Sequence, residues 1–232
     1  MFLSAFLSYF YKDGITADLF LSGVLVSIIG LLMLFLNKSH DKQINKREGY
    51  LVVVLGWVAM IFSGTIPYIL TGTIDGFSNI FFETTSGYTA TGATIIKDVE
   101  VLPEGILFWR SITHWLGGMG MIVFAIAILP LLGIGGMQLF NAESPGPSTD
   151  KLHPRITDTA KRLWMIYVSY TIIETFFLKI AGMSFFDAIN HSMSNIASGG
   201  FSTKNASLGS VSYTHLRAHE TVLDLVCRLL LE

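Results

Sequence analysis

Four long apolar segments constrain this chain more than any other feature of its sequence. They cover residues 15–36, 50–71, 105–134 and 163–182, and the second of them carries no charged residue. At about 1.5 Å per residue, a helix of this length reaches the ~30 Å thickness of a bilayer's hydrocarbon core. Lipid offers no water to an exposed backbone, so runs of this length favour helices. We therefore predict an all-α membrane protein embedded in the lipid bilayer.

Composition and charge support a membrane protein and exclude other classes. Hydrophobic residues make up 51% of the 232 residues and charged residues only 14%, whereas soluble domains carry about 25% charged residues. The net charge of −2 gives no basis for nucleic-acid binding. The single cysteine, Cys227, provides neither a disulfide framework nor a cysteine-based metal site.

The basic residues predict how the spans are oriented. Segments 37–49 and 135–162 each carry four Lys or Arg residues, whereas 72–104 carries one, Lys97, beside five acidic residues. Because basic residues concentrate on the cytoplasmic side, we expect the first two segments inside and 72–104 outside. A buried soluble helical core would not explain this asymmetry.

The external segment contains a candidate pore loop. Residues 83–96 read ETTSGYTATGATII, and eight of these fourteen are Thr, Ser or Gly. The preceding aromatic stretch is too short to span a bilayer, so we predict a short helix over 77–86, capped by Asp75, and non-helical backbone over 87–92. Backbone carbonyls in such a loop can replace the hydration shell of a cation. The alternative is an ordinary extracellular hairpin.

A similar segment returns after the fourth span. Residues 191–205 read HSMSNIASGGFSTKN, and they again follow a short aromatic-rich stretch. Gly92 and Gly200 are 108 residues apart, and this offset aligns the two segments. The recurrence favours two pore loops over two unrelated hairpins.

Three motifs in order carry a family resemblance. They are ETTSGYTATGAT, WRSITHWLGGMGMIVFAIAILPLLGIGGMQLFNAESPGP and HSMSNIASGGFST. Together they resemble the Trk/Ktr superfamily of potassium transporters, most closely its TrkH/TrkG-type membrane subunits, over roughly residues 15–208. The resemblance implies repeated span–pore helix–filter loop–span units, as in potassium channels. It also implies that potassium, the transported substrate, binds two filter strands and that the chain holds no cofactor. The strands are Thr89, Ala90, Thr91 and Gly92, and Ala197, Ser198, Gly199 and Gly200.

The resemblance also divides the chain. It implies an N-terminal helical region with one full span at 1–48, a first pore-loop repeat at 49–140, a cytoplasmic linker at 141–162 and a partial second repeat at 163–209. We expect residues 210–232 to be a non-native tail. The chain then holds about one and a half of the family's four repeats, and we expect such a fragment not to transport.

The function implied by the resemblance is potassium uptake across the bacterial inner membrane, without enzymatic chemistry. It implies a homodimer and a cytoplasmic nucleotide-binding regulatory subunit of TrkA type. One alternative is a sodium-coupled Ktr-type transporter. Two others are a structural scaffold and an intramembrane hydrolase that uses Ser86 or Ser198 with His114 or His191.

Several polar residues near the loops allow two interpretations. Glu83 either concentrates cations at the outer mouth or packs and hydrogen-bonds within the pore helix. Arg110 is costly in lipid and needs a partner, for which Glu83 is a candidate. His114 and His191 lie in different repeats, so structural hydrogen bonding is favoured over a metal pair.

Two further groups lie within the spans. Glu174 and Lys179 mark either an ion path or a structural pair. The glycines of WLGGMG are preceded by no strand and followed by no lysine, so we attribute them to close helix packing rather than to a nucleotide loop. These are Gly117, Gly118 and Gly120.

Overall fold

A computed structural model describes residues 1–36, 46–132 and 152–207 of the chain. Every regular element in these ranges is an α-helix, which confirms the predicted all-α class. In chain order the helices are α1 (Phe2–Tyr11), α2 (Thr16–Leu36), α3 (Lys46–Thr71), α4 (Phe77–Tyr88), α5 (Glu104–Leu132), α6 (Leu152–Ile180) and α7 (Phe185–Ile196).

Three helical stretches in the described ranges are long and apolar enough to cross a membrane. They are Thr16–Leu36, Val53–Thr71 and Lys161–Ile180, and they coincide with three of the predicted spans. The remaining predicted span, 105–134, lies largely in α5, whose 29 residues suffice in length to cross the hydrocarbon core. The last two residues of that span lie outside the described residues, as do 37–45, 133–151 and the predicted tail.

The outer surface of the span helices is apolar. At the end of α2, Leu34, Phe35 and Leu36 are 72%, 73% and 80% exposed, and Phe176 on α6 is 61% exposed. A water-soluble protein rarely presents so continuous an apolar surface. Contact with lipid chains accounts for it.

Helix α5 occupies the centre of the packing. It contacts α1, α3, α4, α6 and α7, and its residues 106–109 are buried in the main apolar cluster. The turn before α2 is also fastened to it, because the Asp13 carboxylate accepts a hydrogen bond from the Gly105 amide at 2.8 Å. The two loop units therefore meet on one helix.

The first short helix differs from its prediction at both ends. Helix α4 continues through Gly87 and Tyr88 rather than ending at residue 86, because Gly87 packs closely against α5 instead of breaking the helix. The Asp75 cap is also wrong. Gly76, with a φ of 81°, is the N-cap and makes no side-chain cap bond, so Asp75 lies one residue too early in the chain.

Candidate functional site

The two predicted filter loops follow helices of equal length in the same register. Helices α4 and α7 each have twelve residues and begin 108 positions apart. The backbone φ angles then repeat at the same offset, with 51° at Ala90 and 56° at Ser198, and 77° at Gly92 and 98° at Gly200. Positive φ at non-glycine residues is uncommon, so its occurrence at matching positions indicates a shared loop conformation.

The first loop turns its carbonyl groups away from the end of α4. The Ala90 amide donates to the Gly87 carbonyl and the Thr91 amide to the Ser86 carbonyl, both at 3.0 Å. In a trans peptide the C=O group points opposite to the N–H group, and the described residues contain no cis peptide bond. The carbonyl oxygens of Thr89 and Ala90 therefore point away from the helix end.

The second loop has the same arrangement. The Ser198 amide donates to the Asn195 carbonyl at 2.7 Å, and the Gly199 amide donates to the Ser194 carbonyl at 2.9 Å. By the same peptide geometry, the carbonyls of Ala197 and Ser198 point away from the end of α7. Each loop thus presents two successive carbonyls that its own helix does not bind.

The fold brings the two loops against each other. A Cβ atom placed on Gly92 would overlap the carbonyl oxygen of Gly199, so only glycine fits at this approach. Gly200, in contrast, has no atom within 4 Å of such a Cβ, so only its φ of 98° favours glycine there. The structure therefore places the eight predicted site residues in two adjoining loops.

A buried ion pair lies beside the first loop. Arg110 on α5 and Glu83 on α4 are joined at 2.9 Å between Nη2 and Oε1, and their side chains are 1% and 0% exposed. The Glu83 carboxylate also accepts from the Thr94 hydroxyl at 2.9 Å and from the Ile95 amide at 3.1 Å. Glu83 is therefore an internal anchor of the loop and does not attract cations at an exposed mouth.

The same arginine reaches the second loop. Arg110 Nη1 donates to the Ser202 carbonyl at 3.3 Å, and the guanidinium carbon lies 4.2 Å from the centroid of the Phe201 ring. Guanidinium groups interact favourably with aromatic faces at this distance. One side chain thus contacts both segments that follow the proposed filter strands.

His114 lies one turn further along α5 and holds the second loop. Its Nδ1 is 3.0 Å from the Ser194 hydroxyl, and its ring stacks on Phe201 with the centroids 3.9 Å apart. Ser194 Oγ accepts from the Gly200 amide at 3.1 Å, so its single proton is available for Nδ1. The histidine therefore supports the loop through a structural hydrogen bond.

This arrangement does not assemble the serine–histidine pairs considered for a hydrolase. His114 Nδ1 bonds the hydroxyl of Ser194, which is 2% exposed. Within the described residues, the buried Ser86 hydroxyl and His191 Nε2 have no hydrogen-bond partner. Within the described part of the chain, no group of three or more His, Cys, Asp or Glu side chains could hold a metal ion.

The glycines of WLGGMG serve close packing, as expected. A Cβ atom on Gly117 would overlap the carbonyl oxygen of Tyr88, and one on Gly118 would lie 2.9 Å from the Cβ of Ala197. One on Gly120 would lie 3.2 Å from the Trp57 ring. Successive glycines of α5 thus let the ends of both short helices approach its backbone.

Glu174 and Lys179, which the sequence left as either an ion path or a structural pair, each hydrogen-bond another residue. Asn195 donates to the Glu174 carboxylate at 2.5 Å, and Lys179 donates to the Met183 carbonyl at 3.4 Å. Asn195 belongs to the last turn of α7, so Glu174 fastens that helix to α6.

Sequence reasoning missed the residues that connect the two loops beyond their filter strands. The Asn205 side chain accepts from the Val99 amide at 2.9 Å and donates to Asp98 at 2.7 Å. Thr94 and Ser202, which contact Arg110, are also 108 residues apart. Extending the repeat alignment two residues past Gly92 and Gly200 would have identified Thr94 and Ser202.

Comparison with known proteins identifies close relatives. Residues 16–216 match the TrkH family, described as a cation transport protein. The potassium uptake protein TrkH of the Trk system from Vibrio parahaemolyticus is 44% identical over 211 residues, which cover 90% of this chain and 44% of that protein. Its counterpart TrkG from Escherichia coli is 39% identical over 202 residues, covering 86% of this chain and 42% of that protein.

A solved structure agrees with the fold. The crystal structure of the potassium transporter TrkH from Vibrio parahaemolyticus matches with a TM-score of 0.80 at 40% identity, over 91% of this chain and 42% of that one. The chain therefore spans less than half the length of the relatives it matches.

Proposed function

The chain belongs to the TrkH family of cation transport proteins, and on that premise we propose that it contributes to potassium uptake across the bacterial inner membrane. Its family consists of transporters rather than enzymes, and its long apolar helices make it an integral membrane protein. The relatives named above are potassium uptake proteins, which supports potassium as the substrate.

The proposed ion path runs past the two adjoining loops. Residues 89–92 and 197–200 act as two strands of a selectivity filter whose backbone carbonyls replace the water around potassium. The observation that carries this proposal is the matching backbone of the two loops, with peptide N–H groups bound to the helix end and carbonyls directed away from it. Two unrelated hairpins would not share these features at a constant offset.

The assembly proposal follows the family. A ring of carbonyls around an ion requires strands on all sides, and the described residues supply two of them. We propose a homodimer that works with a cytoplasmic nucleotide-binding regulatory subunit of TrkA type. The relatives are named as parts of a Trk system, which supports components besides the membrane subunit.

The experiment is a substitution at Gly92 in the native protein, purified from its membrane and reconstituted in liposomes. Gly92→Ser places a side chain at a φ of 77°, which alone costs roughly 1–3 kcal/mol, and against the Gly199 carbonyl, so the strain falls on the filter itself. We expect the preference for potassium over sodium to fall by about tenfold, equivalent to ~1.4 kcal/mol. Isotope fluxes of rubidium and sodium measure this preference.

Gly72→Ser is the matched control. Gly72 also has a positive φ, 61°, but a Cβ atom there meets nothing within 4 Å, and the residue lies just beyond α3, outside both loops. We expect it to retain the native preference. A folded Gly92→Ser protein with an unchanged potassium-to-sodium ratio would remove the filter assignment.

A further inference from the structure

The Glu83–Arg110 pair is connected to both proposed filter strands at equivalent positions. Thr94 follows Gly92 by two residues, and Ser202 follows Gly200 by two residues. Arg110 Nη2 donates to the Thr94 hydroxyl at 3.2 Å, and Nη1 donates to the Ser202 carbonyl at 3.3 Å. The two arms of one guanidinium therefore fasten the two loops at corresponding points.

Glu83 fixes the arginine and the first loop together. Arg110 Nε donates to Glu83 Oε1 at 3.0 Å, in addition to the contact from Nη2. The second carboxylate oxygen, Glu83 Oε2, accepts a hydrogen bond from the Ile95 amide at 3.1 Å. Because the pair is almost fully buried and the guanidinium is planar and rigid, a shift of one loop is transmitted to the other.

The second loop has its own anchor on the side facing α7. Thr203 donates to the Asp187 carboxylate at 2.6 Å, and Asp187 lies in the first turn of α7. The position equivalent to Glu83 in this repeat is His191, 108 residues later, so the second unit has no carboxylate of its own at that place. At that place, the second loop is instead bound by Arg110, which donates to the Ser202 carbonyl from α5.

We infer that Glu83, Arg110 and Thr94 are positioning residues for potassium selectivity. They hold the two strands at a fixed separation and register although none of them belongs to the strands. This inference rests on the proposed filter. Selectivity by backbone carbonyls depends on the number, the position and the field strength of the oxygens that replace the water around the ion.

The first test uses Thr94, which is on the surface and carries no charge. Thr94→Val keeps the side-chain shape but removes the hydroxyl that donates to Glu83 and accepts from Arg110, whereas Thr94→Ser retains the hydroxyl. We expect Thr94→Val to lower the potassium-to-sodium flux ratio of the native protein in liposomes by about threefold to tenfold, and Thr94→Ser to restore most of it. Equal ratios for the two variants would overturn the inference.

The second test separates positioning from stability. The double variant Glu83→Gln with Arg110→Gln leaves no buried unpaired charge, which is the condition that makes removal of a single partner strongly destabilising. It nevertheless lacks the guanidinium that reaches Ser202 and Phe201. We expect the double variant to unfold near the native temperature but to have a lower potassium-to-sodium flux ratio. The control is Ser111→Ala, which removes a buried hydroxyl on the same helix that donates to the Leu107 carbonyl. We expect this control to keep the native ratio.

The outcomes distinguish this inference from the proposed function. If Gly92→Ser relaxes selectivity while a folded double variant and Thr94→Val both keep the native ratio, the filter stands and the positioning role is wrong. If Gly92→Ser also keeps the native ratio, the filter assignment fails and the inference fails with it. If the double variant does not fold, the Thr94 pair decides the question alone.

Discussion

The close packing of α4 on α5 gives the sharpest stability prediction. Gly87 is in the last turn of α4, and a Cβ atom placed on it would lie 2.5 Å from Thr113 Oγ1 and 3.1 Å from Thr113 Cβ. Thr113 is 1% exposed, and its hydroxyl donates to the Arg110 carbonyl at 2.6 Å. The hydroxyl cannot rotate away from a methyl group without losing that bond.

The expected cost of Gly87→Ala follows from these distances. Ordinary van der Waals contact begins near 3.4 Å, so the methyl group and the Thr113 hydroxyl must move about 0.9 Å further apart. Overpacking of this kind typically costs 1–3 kcal/mol, against a gain of up to ~1 kcal/mol from the better helix propensity of alanine. We expect a net loss of roughly 1–2 kcal/mol in the free energy of unfolding.

Removing the opposing hydroxyl should relieve much of this cost. In the double variant Gly87→Ala with Thr113→Ala, the nearest remaining atom is the Cβ at 3.1 Å, followed by Phe201 Cε2 at 3.6 Å. The contact then requires a shift of only about 0.3 Å. We expect the double variant to be at least ~1 kcal/mol more stable than the sum of the two single effects, within the range found for residues in contact.

The assay is reversible unfolding in mixed micelles, followed by the fluorescence of the four tryptophans. Gly56→Ala is the matched control, because Gly56 lies inside α3 and a Cβ atom there meets nothing within 4 Å. It should leave stability unchanged or raise it. Additive effects of the two substitutions, within about 0.5 kcal/mol, would refute the packing argument.

Two further predictions concern the second loop unit. Ser184→Ala removes the hydroxyl that accepts the Asp187 amide at 3.0 Å and caps α7, so we expect a loss of about 1 kcal/mol in the same unfolding assay, with Ser184→Thr as the retained-cap control. Gly118→Ala places a methyl group 2.8 Å from the Tyr167 hydroxyl and 2.9 Å from Ala197 Cβ. We expect the free energy of unfolding to fall by roughly 1–3 kcal/mol. Adding Tyr167→Phe should restore only part of this loss, because the contact with Ala197 remains. Complete restoration would contradict this account.

The sequence was sufficient to predict the helical membrane class and the order of its elements. Span length, the polar segment after a short aromatic run, and its return 108 residues later are all patterns within contiguous stretches. A bilayer imposes length and hydrogen-bonding requirements on each span separately, so these features can be read without knowing how spans pack. The pairing of Arg110 with Glu83 was predictable for a related reason, since a buried charge requires a partner.

Local detail was less predictable where packing overrides residue preference. Gly87 was expected to leave the helix, but α4 retains it, because the glycine allows contact with Thr113. Glu83 allowed both an exposed and a buried interpretation, and only its 0% exposure decided between them. The same carboxylate would be compatible with either role in an isolated helix.

Only the tertiary structure decided which distant groups meet. The bonds from Arg110 to Ser202 and from His114 to Ser194 join residues separated by 92 and 80 positions. Whether they form depends on how α5 crosses both short helices and how closely its glycines let them approach. A change of one turn along α5, about 5.4 Å, would exchange these partners while leaving every local sequence pattern intact, so the patterns alone carry no information about the choice.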